Sequence, residues 1–145
     1  MISVEINAEA ALAQFGQMVA GARNRTVPNR QLAVQLQGWV FRNFQQGGAM
    51  QTPSWVPLAP STLEQKRKKG YSGTPLIRTG HLRQSFRPFS DNDSAGVGSE
   101  VPYSQYHETG TSRLPQRAML PPRAVAVDFA RRIYERWVAD LARTA

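Results

Sequence analysis

Ile2, Val4 and Ile6 alternate with Ser3, Glu5 and Asn7, the two-residue period of a strand with one buried face. The period then lengthens. Asn7 suits a helix N-cap, and Leu12, Phe15 and Val19 recur at i, i+3 and i+7, which predicts a helix from about Ala8 to Ala22 with that stripe turned inward. Pro28 and Asn29 give a second start signal. Leu32, Leu36, Trp39, Val40 and Phe44 follow as one stripe that stops at Gly47 and Gly48. Gly38, inside this second helix, weakens it by about 1 kcal/mol relative to Ala.

From 47 to 75 the chain turns to Gly, Pro, Ser, Thr and Lys, the composition of a surface excursion. Within it Ser61-x-x-Glu64 reads as a capping box, Glu64 and Lys68 stand at i, i+4, and Gly70 closes a small helix whose exposed face carries Lys66, Arg67 and Lys69. Thr79 caps a short helix through Ser85. Phe86–Ser90 and Ser94–Ser99 flank the turn Asp91-Asn92-Asp93 as a hairpin, with Pro88 placing the first arm at an edge. Pro102 opens another short helix through His107, stopped by Gly110. Thr111–Pro122 has three prolines and no period, so it reads as an extended arm. From Arg123 a closing amphipathic helix carries Phe129, Ile133, Trp137 and Leu141 on one stripe. Strand, helices, hairpin and helix in this order predict an α+β fold, with 1–145 as one domain.

Length agrees, since a chain of 145 residues buries roughly 70% of its unfolded surface and needs no staple. It has no cysteine, which removes thiol nucleophiles, disulfides and thiolate metal sites. No apolar run reaches membrane-spanning length, and Glu5 and Glu9 stand where a signal peptide carries positive charge, so a soluble, unprocessed protein is expected. Charge adds a direction: the net +8 is concentrated between Arg23 and Arg87, where eleven Lys and Arg face the single acid Glu64. Such asymmetry suits an acidic partner, either a protein ring or nucleic acid.

Catalytic chemistry finds no constellation. His81 and His107 are the only histidines, neither has a metal ligand at helical spacing, and His107 and Glu108, adjacent on a helix, point about 100° apart. Asp91-Asn92-Asp93 begins like a calcium loop and Gly96 suits its sixth position, but Pro102 stands at the twelfth. Gly96-Val97-Gly98-Ser99 lacks the phosphate-cradling patterns, and no G-x-S-x-G occurs. No enzyme activity, cofactor or metal is expected. Lys66-Arg67-Lys68-Lys69 followed by Tyr71 leaves a different class open, a basic DNA-binding accessory module that holds phosphates and stacks a base.

Ordered motifs from Trp55 to Arg123 point elsewhere. Trp55-Val56-Pro57-Leu58 with Ser61 and Thr62 resembles the W-x-P-L segment of the phage virion morphogenesis family, the tail-completion proteins of Mu-like and P2-like phages. Leu76–Ser85 is similar to its L-x-x-T-G-x-L-x-x-S core through Thr79, Gly80, Leu82 and Ser85. Val97-Gly98-Ser99 and the run Tyr103, Tyr106, His107, Gly110 resemble its V-G-S and Y-x-x-Y/H-x-x-G segments. Leu114–Leu120 resembles its P-x-R-P-F-L stretch, with Ala118 and Met119 in place of Pro and Phe.

The resemblance implies a small α+β structural subunit of the virion neck, assembled in the host cytoplasm. It would form a homo-oligomeric ring, hexameric by the resemblance, that completes the tail at its head-proximal end against the tail tube and connector or neck proteins, with DNA possible in the channel. Three sets of residues carry these expectations. Lys66, Arg67, Lys68 and Lys69 would contact a partner or DNA. Arg113, Leu114, Arg117, Met119 and Leu120 would form an assembly arm that orders mainly against a neighbour, because the segment lacks the periodicity to fold alone. Trp55, Pro57, Leu58, Thr79, Gly80, Leu82, Ser85, Tyr106, His107 and Gly110, the motif residues, would be structural.

Overall fold

A computed structural model describes residues 8–144. The alternating segment Ile2–Ile6 and the Asn7 cap lie outside these residues, as does the side chain of Leu12. Among the described residues six helices and one antiparallel hairpin make an α+β fold, in the order α1 (Ala8–Arg23), α2 (Thr26–Gln45), α3 (Pro60–Lys68), α4 (His81–Ser85), β1 (Arg87–Ser90), β2 (Ala95–Gly98), α5 (Ser104–Thr109) and α6 (Arg123–Thr144). Central α2 has the hairpin and α4 against it, and packs also against α6; α1 lies on α6.

The stripe read along α2 is the core. Trp39, Val40 and Phe44 are buried with Trp55, Leu82, Phe86 and Met119. Phe44 sits edge-on to Trp55, with ring centroids 5.3 Å apart, and tilted against Phe86 at 5.8 Å. Gly48, at φ +82°, leaves room for the Trp55 ring, which a Cβ there would meet at 2.0 Å. Helix α2 starts two residues before Pro28, which therefore falls in the first turn, where a missing N–H costs little. Asn29 is buried rather than capping: its Nδ2 donates to Asp91 O at 2.8 Å, and its Oδ1 accepts from the Tyr134 hydroxyl of α6. One side chain thus joins α2, α6 and the hairpin turn. Arg25 adds to that joint, donating from its backbone N to Asn92 Oδ1 (2.6 Å) and from Nε to Asn92 O (3.0 Å).

The hairpin pairs Arg87 with Gly98 through Ser90 with Ala95, shorter than expected because Phe86 drops into the core instead of continuing the strand. Asp91 Oδ1 accepts from the N–H groups of Asp93 and Ser94, a local turn and not a cation loop.

On α6 the stripe Phe129, Ile133, Trp137 and Leu141 faces inward, with Ile133 buried. On α1 the inward stripe does not hold: Phe15 is 63% exposed and Val19 is exposed as well. Helix α1 comes close to α6 at Gly21, where an ideal Cβ would stand 2.7 Å from Leu141 Cδ2.

Candidate functional site: a basic cleft and the clamp behind it

Helix α3 is cut differently from its capping-box reading. It begins at Pro60 after Ala59, Ser61 makes no capping bond, and Glu64 pairs with Arg67 at 2.9 Å and not with Lys68. Its end follows the expected pattern, with Tyr71 N donating to Lys66 O (2.8 Å) and Gly70 N to Arg67 O (3.1 Å). Nor is Lys66 on the exposed face. Its Nζ donates to Thr74 O at 2.8 Å and Ile77 O at 2.9 Å, and burial, then Arg117 and Arg78, holds its pKa below the usual lysine range. The four-residue basic run therefore splits. Lys66 bonds inward, Arg67 is paired, and Lys68 and Lys69 remain exposed.

The two carbonyls taken by Lys66 bracket Leu76, which stands at φ +63°. A non-glycine residue there costs on the order of 1–3 kcal/mol and persists only where its surroundings impose it. The bend gives one wall of a cleft of about 430 Å³ between α3, the 71–79 loop, α4 and α5. Leu58, Leu76, Ile77 and Leu82 line its less exposed part, while Lys69, Arg78 and His81 are exposed at its edge. The Arg78 guanidinium lies 5.0 Å from the centre of the Tyr71 ring, also in the lining. Among the described residues no carboxylate lines the cleft. His107 lines it too, and burial together with the nearby Arg117 charge holds its pKa below the usual histidine range. Its Nδ1 is buried without a hydrogen-bond partner among the described residues.

Behind the cleft the motif residues close on one another. Trp55 Nε1 donates to Ala118 O at 2.6 Å, and Arg117, 7% exposed, donates from Nε to Val56 O (2.9 Å) and from Nη2 to Pro57 O (3.4 Å). The W-x-P-L segment and the later arginine stretch thus form one clamp. Glu108 Oε2 accepts from Met119 N (2.6 Å) and Leu120 N (3.2 Å), Arg117 N donates to His107 O (2.8 Å), and Gln51 Nε2 donates to Leu120 O (2.9 Å). Gly110, at φ +77°, turns the chain back so closely that a Cβ would meet Gln116 N at 3.0 Å. Ser85 donates to Leu82 O and meets Ser99 Oγ at 2.6 Å, which joins the T-G-x-L-x-x-S core to V-G-S. At α4 the N-cap is Gly80, with Thr79 Oγ1 accepting from His81 N at 3.4 Å. Helix α5 starts at Ser104 rather than Pro102 and continues past His107 to Thr109; Tyr106 is exposed.

Within the 111–122 arm, Met119 is fully buried in the core and Arg117 in the clamp, where an apolar side chain and paired backbone donors find partners within the subunit. Arg113, Leu114 and Leu120 remain exposed. The sequence reading missed Arg78, His81 and Glu108 as site-forming residues. The first two flank Thr79-Gly80 in a motif already singled out, and Glu108 lies between His107 and Gly110, so position in the motif was the available signal.

Among the described residues no group of three or more metal-ligating side chains comes together, and no helix is long and apolar enough to cross a membrane. No solved structure matches the chain. Over 111 residues it is 30% identical to the Mu-like prophage FluMu G protein 2 of Haemophilus influenzae, a similarity covering 76% of this chain and 71% of that protein. The profile of the phage virion morphogenesis family matches residues 6–134, taking in the clamp, the cleft and most of α6, and the chain belongs to that family.

Proposed function

We propose that this virion morphogenesis protein is a non-enzymatic component of the neck, completing the tail at its head-proximal end and joining it to the head as one subunit of a homo-oligomeric ring. The observation that carries this reading is the apolar surface left open on separate helices. Phe15 on α1, Val27 and Val34 on α2, and Val127 and Val138 on α6 are all exposed. A cyclic ring needs two different faces on each subunit, and apolar side chains on several elements supply candidates for both. The family motifs support a structural role because their residues hold the chain's own clamp and turns. In this reading the tail tube and a connector or neck protein are the neighbours.

Electron microscopy of particles assembled without the protein tests the reading, with full heads lying beside detached tails as the expected result. Intact, joined particles would exclude it. The DNA-binding alternative is weakened by the split of the basic run, since Lys66 bonds within the fold and Arg67 is paired.

A further inference from the structure

We infer that the cleft between α3 and α5 is a docking site for an extended acidic peptide segment, whose carboxylates meet Lys69, Arg78 and His81 while an apolar side chain enters toward Leu58, Leu76 and Leu82. Charge complementarity selects the occupant. Neither edge cation, Lys69 or Arg78, takes part in an ion pair among the described residues, and among those residues no carboxylate lines the cleft. Its wall is also built rather than incidental, because Lys66 fixes the carbonyls on both sides of Leu76 in a left-handed conformation that free loops avoid.

The apolar interior separates a peptide from a nucleic acid. Duplex phosphates form a convex ridge without side chains and would use the edge cations while leaving the leucines uncovered. A peptide that alternates acidic and apolar residues satisfies both parts of the cleft at once. That the segment belongs to a neighbouring virion protein rests on the neck reading; the chemistry of the cleft does not. Peptide binding by the isolated chain can therefore fail without touching the microscopy result, and the reverse also holds.

The test is fluorescence anisotropy of a labelled Glu/Leu peptide with the full chain. An all-Glu peptide, a Gln/Leu peptide and a DNA duplex serve as competing probes. Saturable binding by roughly millimolar peptide is expected, weakening with salt. The Gln/Leu and all-Glu probes should each bind at least about fivefold more weakly. Lys69→Gln and Arg78→Gln, both at exposed positions, should each lower affinity about five- to tenfold, while Lys68→Gln stays within about twofold. Absence of binding overturns the proposal. So does an equal loss from Lys68→Gln, which would mean diffuse charge, or an all-Glu peptide as tight as Glu/Leu, which would leave the apolar interior unused. A duplex that binds more tightly than the peptide, through the same residues, would assign the cleft to nucleic acid.

Discussion

The two halves of the 111–122 segment both lack helical or strand periodicity and have opposite fates. In the first half, Thr111 Oγ1 accepts from Arg113 N (3.2 Å) and Leu114 N (3.0 Å), a turn held by its own residues, and Leu114 is 40% exposed. In the second, Arg117, Met119 and Leu120 have their backbone N–H groups taken by His107 O and Glu108 Oε2, and Met119 fills the core. Absence of periodicity is common to both, so it does not decide order. What decides it is whether distant parts of the chain offer acceptors and an apolar pocket at the right place, and only the second half meets them.

The sharpest way to break the contrast is truncation on each side. Trp55→Ala removes a buried ring and leaves Ala118 O without its donor, an expected loss of about 4 kcal/mol. Leu114→Ala should fall within about 0.5 kcal/mol of the parent. Urea denaturation compares the two directly. Equal effects would mean that the halves are not different in kind.

Next in size is Glu108→Ala. Two backbone donors lose their acceptor, and about 1–2 kcal/mol of stability should go with it, read from the same denaturation curves. A neutral outcome would show water replacing the carboxylate, and the clamp would then rest on Trp55, Arg117 and Gln51.

Hydrogen exchange on the free chain sharpens the comparison without mutation. Amides of Arg117, Met119 and Leu120 should exchange only with larger openings of the fold, while those of Arg113 and Leu114 exchange through local fraying. Uniformly fast exchange across both halves would restore the picture of one mobile arm.

The smallest expected effect is a pH dependence from His107. Burial and Arg117 disfavour its protonated form in the fold, so the unfolded chain takes up the proton first as pH falls. Its contribution is complete above about pH 6.5 and is lost as pH drops below that toward the lower folded value. His107→Gln should flatten the curve of urea midpoint against pH between about 7.5 and 5. An unchanged slope would mean that other groups carry the dependence.

Much of the fold was readable from spacing alone. The α2 stripe, the inward face of α6, the hairpin and the stops at Gly70 and Gly110 all come from local periodicity and turn chemistry, which residues near in sequence determine by themselves. Ordered motifs also identified the family, although not why their residues belong together. Tertiary structure alone decided the rest. Arg117 finds the carbonyls of Val56 and Pro57 some sixty residues earlier, as the clamp requires. Lys66 turns from a surface charge into the brace of Leu76, because carbonyls of the following loop come within reach of its ammonium. Phe15 faces outward while α1 comes close to Leu141 at Gly21. Each of these outcomes depends on a partner far along the chain or on a close approach of two elements, and periodicity carries information about neither.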